Sequence, residues 1–248
     1  MLTAFAEGVW HDTVPVRIVG MRLTASMTVL ALGDGGLLVH SPLPLTPERR
    51  AAVEARGRVT HLYAPNTFHH LWLGEWSRAF PAARVHAPAA LAEKRRDLRV
   101  DRYHDEGRPF DFGGAIVEVP IHGFRLAETA LIHRPGGTAV VTDLVHNIGQ
   151  PTDPWTKLYS SAMGFYDRVA ISRAIRWTAF ENSGAARSSV DVLLSYGFGG
   201  LIVGHGAPIP TLGRDALAAA MSWLPAAAAP RLAARSKRSS LFSPKPCG

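Results

Sequence analysis

The feature that most limits the folds open to this chain is its series of short apolar runs, each closed within a few residues by glycine, proline or histidine. Residues 27–32 and 36–40 flank Gly33-Asp34-Gly35 and read as a β-hairpin with a glycine-rich turn. Residues 59–64 form a further strand that Pro65 stops, and 84–87, 115–121, 129–133, 139–145 and 200–203 read the same way. Helical signals fall between and after these runs. Thr46-Pro47-Glu48 is an N-cap followed by proline at the first helical position, opening a helix to about Ala55. From His69, the residues Leu71, Trp72, Trp76 and Phe80 recur at helical spacing until Pro81. Helical character returns around 168–180, 185–195 and 214–224. Strands in clusters, with helices between and after them, favour layered sheets flanked by helices over a strictly alternating parallel sheet. With 248 residues, 47% of them hydrophobic and 19% charged, the chain can build a single large core of α+β type.

Composition removes several function classes. The formal net charge of +7 suggests nucleic acid until it is apportioned. Arg231, Arg235, Lys237, Arg238 and Lys245 lie in an acid-free tail and leave a nearly neutral body without basic-aromatic interleaving. The chain therefore divides into a folded domain over 1–226 and a basic, disordered tail over 227–248, and nucleic acid is not an expected partner. No run approaches the roughly 20 apolar residues of a membrane span, and the opening segment lacks a positively charged start before an apolar stretch. A soluble, cytoplasmic protein with no membrane partner is expected. The one cysteine, Cys247, can neither close an internal disulfide nor form a thiolate cage, so any metal must be held by histidine and carboxylate.

Five of the eleven histidines, His69, His70, His122, His146 and His205, stand at the C-terminal end of a predicted strand or just after it, and Asp143 joins them. Strand ends and the loops after them are where layered folds build sites. Each residue singly has a structural explanation: a helix cap, a turn, a tight Gly-His-Gly bend. Their joint placement after separate strands points instead to a divalent ion, which takes about four ligands and is suited by imidazole and carboxylate if it is zinc, iron or manganese. His61, inside an apolar strand, reads as a core histidine, and His11, His86, His104 and His133 read as surface or sheet residues.

The hairpin, Asn66-Thr67-Phe68-His69-His70, His122-Gly123, Val141-Thr142-Asp143 and Val203-Gly204-His205-Gly206 occur in the order found in the metallo-β-lactamase superfamily. The chain resembles a divergent branch of it over about residues 9–212. That resemblance implies a four-layer αββα sandwich of two mixed β-sheets flanked by helices, with a metal site at one edge. It departs from the family's H-x-H-x-D-H pattern. Aligned on the last histidine, Pro65 and Thr67 replace the first two histidines and His69 replaces the aspartate. One of the two family metal positions is thus largely dismantled. His70, Asp143 and His205 correspond to ligands of the other, with His69 in place of its carboxylate. His122 is a fifth ligand or a nearby base, and His40 stands where the family often has a turn beneath the metal. A set of three imidazoles and one carboxylate around a divalent ion carries a net charge of about +1, which favours an anionic ligand.

The expected metal set is His69, His70, His122, Asp143 and His205, holding one divalent metal, zinc first and iron or manganese as alternatives. His122, His146 and Glu128 are the candidates for acid–base catalysis. The reading is a metal-dependent hydrolase acting on a small-molecule ester, lactone, thioester or phosphoester. A binding or scaffold protein that has lost catalysis, and an iron-dependent redox protein, remain alternatives. Trp155, Tyr159, Phe165 and Tyr166, in the long insertion before the last strand, are candidates to roof a pocket or to pack a helical pair. Oligomeric state is not encoded in any of these features.

Overall fold

The computed structural model describes residues 1–226, so the expected basic tail lies outside the described residues. The strands are β1 (Thr3–Ala6), β2 (Val9–Ile18), β3 (Met21–Ala31), β4 (Gly36–His40), β5 (Arg58–Tyr63), β6 (Arg84–Ala87), β7 (Arg102–Tyr103), β8 (Ile116–Pro120), β9 (Thr129–His133), β10 (Thr138–Val140) and β11 (Gly200–Ile202). The helices are α1 (Pro47–Glu54), α2 (Leu73–Ala79), α3 (Leu91–Lys94), α4 (Pro154–Ala162), α5 (Arg173–Thr178), α6 (Ser183–Ser195) and α7 (Gly213–Ala220). One sheet has the order β1-β2-β3-β4-β5-β6-β7, antiparallel to β4 and parallel beyond it. The other has the order β11-β10-β9-β8, with β10 and β11 parallel and the rest antiparallel.

Strand periodicity builds the layers. In β4, Leu37 and Val39 face the cluster that includes Val53 of α1 and Leu73 and Trp76 of α2, while Leu38 faces the second sheet. In β9 and β10, Ile132 and Ala139 pack with Val190 and Leu193 of α6 and Leu217 of α7, while Leu131 and Val140 meet Leu30, Leu38 and Tyr63 of the first sheet. Both faces of these strands are covered, so they read as continuous apolar runs rather than alternating ones. Two mixed sheets back to back, with helices outside each, make the expected four-layer αββα sandwich. Among the described residues no helix is long and apolar enough to cross a membrane.

Local chemistry sets the helix starts. Thr46, Asp153 and Asn182 accept backbone N–H groups at the N-termini of α1, α4 and α6, and Pro47 and Pro154 occupy the first turn of α1 and α4. Three departures of the structure from the sequence reading bear on the site. The first hairpin expected, from residue 27, is preceded by a longer one, β2–β3. Its end near the turn carries the exposed Pro15, Arg17, Ile18 and Arg22, and its turn uses Val19 and Gly20 at φ 51° and 79°, so neither an apolar run nor an Asn-Gly turn announces it. The strand expected over 139–145 ends at Val140, because the Thr142 and Asp143 amides bond the Glu128 carboxylate instead of a neighbouring strand. The helix expected from His69 begins at Leu73, because the amides of Phe68 and His69 are held by the Asn66 side chain.

Candidate metal centre

Three strand ends meet at one edge of the sandwich. Pro65 closes the strand β5, Asn66 folds the chain back on itself in an Asx turn, and His69 follows. Asp143 comes from the loop after β10, and His205 from the Gly-His-Gly turn after β11. Ligand atoms of His69, Asp143 and His205 all lie within 4.8 Å of one another. His69 Nε2 is 3.6 Å from Asp143 Oδ2, and His205 Nε2 is 3.5 Å from Asp143 Oδ1. These separations are long for hydrogen bonds. They are close to the roughly 3.3–3.5 Å expected between two donors each about 2.0–2.1 Å from a tetrahedral ion, with each imidazole facing a different oxygen of Asp143.

The surroundings present the ring nitrogens correctly for a cation. Thr24 O lies 2.8 Å from His205 Nδ1, so Nδ1 carries the proton and Nε2 offers its lone pair. Ser41 Oγ sits 2.8 Å from His69 Nδ1 and does the same for that ring when it accepts. Gly204 is required here, since a Cβ at this position would stand 2.8 Å from His69 Cε1 and 2.9 Å from the Thr142 Cα. Burial alone would raise the Asp143 carboxyl, but the imidazoles of His69 and His205 beside it hold it well below the usual carboxylate range. Burial would lower His205, and its contacts with Asp143 and Thr24 reverse the shift and raise it.

A buried polar web fixes the carboxylate. Asn66, wholly buried, has Nδ2 2.7 Å from Asp143 Oδ2 and 2.9 Å from Thr142 Oγ1. Glu128 Oε1 accepts the Thr142 amide at 2.7 Å and Glu128 Oε2 the Asp143 amide at 2.8 Å. Burial, and then the charge of Asp143, push the Glu128 carboxyl up. Two buried carboxyl groups beside the ring nitrogens of His69 and His205 concentrate acceptor atoms at this edge, as a cation requires.

The remaining expected site residues fall elsewhere. Glu128, a candidate base, has both oxygens committed to backbone amides and acts as a structural anchor. His122 is exposed, in a groove between β8 and α6, and outside the group of three. Its amide donates to Ser189 Oγ and the Gly123 carbonyl accepts the Glu181 and Asn182 amides, which ties this turn to the helical layer. His70 is buried with Nδ1 3.1 Å from Arg95 Nη1, and its Nε2 has no partner. Burial, then Lys94 and Arg95, lower it to about 4. His146 is buried against His205 and Phe165, and burial followed by the His205 charge lowers it to about 4. His40 is buried against Tyr63 with Nε2 unpartnered, lowered to about 3 by burial and then by His69 and His104. Asn66, Ser41, Thr24 and Arg95 were not singled out from sequence; only Asn66 had a signal, an Asx-turn residue directly after a strand-stopping proline.

A groove of about 410 Å³ reaches His69 and His205. Its walls include Val16, Ile18, Phe68 and Trp72, with Arg17 and Lys94 at hand. Trp155 Nε1 donates to the Val19 carbonyl, and Tyr159 and Phe165 pack with Met21. Trp155, Tyr159 and Phe165 of the insertion thus brace the β2–β3 hairpin, one wall of the groove.

Among solved structures, a metallo-β-lactamase from Pontibacter korlensis superposes with a TM-score of 0.63 at 13% identity, over 90% of this chain and 98% of its own. The chain has the metallo-β-lactamase fold. FIM-1, a metallo-β-lactamase from Pseudomonas aeruginosa crystallised in its mono-zinc form, gives a TM-score of 0.58 at 10% identity over 90% of this chain and 94% of its own. The metal-soaked flavodiiron core of Flv1 from Synechocystis gives 0.64 at 12% identity, over 90% of this chain and 60% of its own. No family model and no curated protein matches the sequence. Within the metallo-β-lactamase fold, the triad of His69, Asp143 and His205 is a possible ligand set for a divalent metal.

Proposed function

We propose that this protein is a metal-dependent hydrolase that uses one divalent ion, zinc in the first instance, on a small-molecule ester, lactone, thioester or phosphoester. The observation that carries the reading is the group of three donors within 4.8 Å of one another, with His205 oriented by Thr24, His69 beside Ser41, and Asp143 fixed by Asn66 and Glu128. His69 Nε2, His205 Nε2 and an Asp143 oxygen would hold the ion. A divalent ion there would supply Lewis acidity to a carbonyl or phosphoryl oxygen and would acidify a water. The protein's own contribution is positional. The groove walls take up an apolar substrate body, Arg17 and Lys94 attract an anionic group, the imidazoles of His69 and His205 keep Asp143 ionised, and the buried web holds it in place.

Pro65 and Thr67 in place of two family histidines support a single-ion site. The absence of long apolar segments and the nearly neutral body support a cytoplasmic protein whose partner is neither membrane nor nucleic acid. Iron-dependent redox chemistry is a second reading, favoured by the likeness to the Flv1 core and by a donor set that suits iron as well. Metal analysis of protein purified without chelator tests both. One equivalent of zinc with hydrolysis of an ester or lactone panel supports the first, and one equivalent of iron supports the second. A metal-free protein whose melting temperature ignores added zinc, manganese and iron overturns both and leaves a binding or scaffold role.

A further inference from the structure

We infer that a second concavity, on the α4–α5–α7 side of the fold, is a binding site for a phosphate group, free or carried by a small molecule. It shares no residue with the groove at His69 and His205, and it does not depend on the metal reading.

Four stretches of chain build it. The turn after α4 supplies Gly164, residues 168–171 run beside it, α5 supplies Arg173 and Arg176, and the chain leaving α7 supplies Trp223. The enclosed volume is about 300 Å³, at the lower end of the range for small-molecule sites. Arg168, Arg173 and Arg176 all line it, and no aspartate or glutamate does.

The donors of these arginines are largely unspent. A guanidinium carries five N–H donors. Among the described residues none of the three pairs with a carboxylate, Arg168 and Arg176 make no side-chain hydrogen bond, and Arg173 makes one, from Nη1 to the Ala162 carbonyl at 3.1 Å. Two of the three are instead held by uncharged contacts. Arg176 Cζ lies 4.3 Å from the centre of the Trp223 ring, a stack that fixes the guanidinium by its face and leaves the donors on its edge free. Arg173 lies across Gly164, where a Cβ would stand 3.2 Å from Nε and 3.6 Å from Cζ, and its amide bonds the Met163 carbonyl at 2.9 Å.

Charge and shape then select the ligand. A concavity walled by cations of one sign, with no carboxylate to offset them, raises the local concentration of anions. Every cation here is arginine, whose planar fork suits an oxyanion better than the point charge of lysine does. A phosphate monoester offers about −1.5 to −2 charges at pH 7 on three acceptor oxygens, which three guanidiniums match. An enclosed pocket, unlike a basic stripe along a face, takes a small molecule and not a nucleic-acid backbone.

The test is calorimetric titration of the full chain with inorganic phosphate and with phenyl phosphate. Each should bind saturably, and Arg168→Gln and Arg176→Gln should each weaken that binding at least about tenfold, the loss expected for one charge-assisted bond. Arg134→Gln, which removes a charge from the β9–β10 turn, should leave both affinities within about twofold. The site should also survive in His205→Ala, which separates it from any phosphate held at the metal centre. If Arg176→Gln unfolds the protein by freeing Trp223, Arg168→Gln carries the comparison, since its side chain has no described bond to lose. Phenyl phosphate as the tighter ligand assigns the site to a phosphorylated organic molecule, and inorganic phosphate as the tighter one assigns it to the free ion; both support it. No saturable binding, an equal loss in Arg134→Gln, or a loss in His205→Ala with none in the Arg168 and Arg176 variants would overturn it.

Discussion

Replacing Asn66 by alanine removes the side chain that connects the His69 turn to the Asp143 loop. Asn66 is wholly buried and has two N–H hydrogens for three acceptors, of which Asp143 Oδ2 at 2.7 Å and Thr142 Oγ1 at 2.9 Å are better placed than Glu128 Oε2 at 3.3 Å. Its carbonyl oxygen accepts the amides of Phe68 and His69, both at 2.8 Å. The bond to the Asp143 carboxylate is charge-assisted and contributes about 1.5–3 kcal/mol, and each neutral bond about 0.5–1.5 kcal/mol. Allowing for partial rehydration of the two amides, the variant should lose about 3–5 kcal/mol of stability. Urea unfolding followed by tryptophan fluorescence measures this, with an unchanged denaturant slope confirming that the loss belongs to the folded state. Zinc affinity should drop by about 10–100-fold in the same variant, because Asp143 and His69 both lose their orientation. A stability loss under about 1 kcal/mol together with unchanged zinc affinity would refute the idea that this amide organises the site.

Three other outcomes are expected. Gly204→Ala should weaken zinc binding and cost about 1–3 kcal/mol, since its methyl group meets His69 Cε1 and the Thr142 backbone; calorimetric zinc titration and thermal melting read the two effects. Chelation of the metal-loaded protein should lower its melting temperature, because an ion bound only to the native state stabilises it by mass action, and His205→Ala should abolish that difference. Acidification should destabilise the protein. Burial, followed by the charges of His61 and Arg102, lowers His86 to about 2, and burial lowers His40 to about 3. Their folded values lie below the unfolded value of 6.5, so the unfolded chain binds more protons as pH falls from 6.5 towards 3. Each histidine then costs up to about 1.4 kcal/mol per pH unit in that window. A melting temperature that stays flat from pH 7 to 4.5 would contradict this, and His86→Gln should reduce the slope.

The layered architecture was legible because β4 and β9–β11 are covered on both faces and therefore spell apolar runs. The β2–β3 hairpin was not, since its outer half is exposed and its turn relies on Val19 at positive φ. Three residues of the candidate centre, His69, Asp143 and His205, were legible from their places after strand ends. What pattern alone could not resolve was side-chain direction. His70 is one residue from His69, yet Arg95, twenty-five positions downstream, determines which of its nitrogens holds the proton. Likewise, His122 follows a strand as the others do, but Ser189 and the start of α6 draw that turn to the helical side. Of His86, His104 and His133, expected as surface or sheet residues, the first and last do lie in β6 and β9, and all three are buried. His86 and His104 lie stacked about Tyr63, and His133 Nε2 lies 2.9 Å from the Ala31 carbonyl. In each case the deciding partner is remote in the chain.

The three donors do not share a sheet. His69 follows β5 of the larger sheet, Asp143 and His205 follow β10 and β11 of the smaller, and the Ser26 amide on β3 reaches across to the Gly204 carbonyl at 3.0 Å. An ion held there would tie the two halves of the sandwich together at their rim, so loading the site would damp the motion of one sheet against the other along this seam.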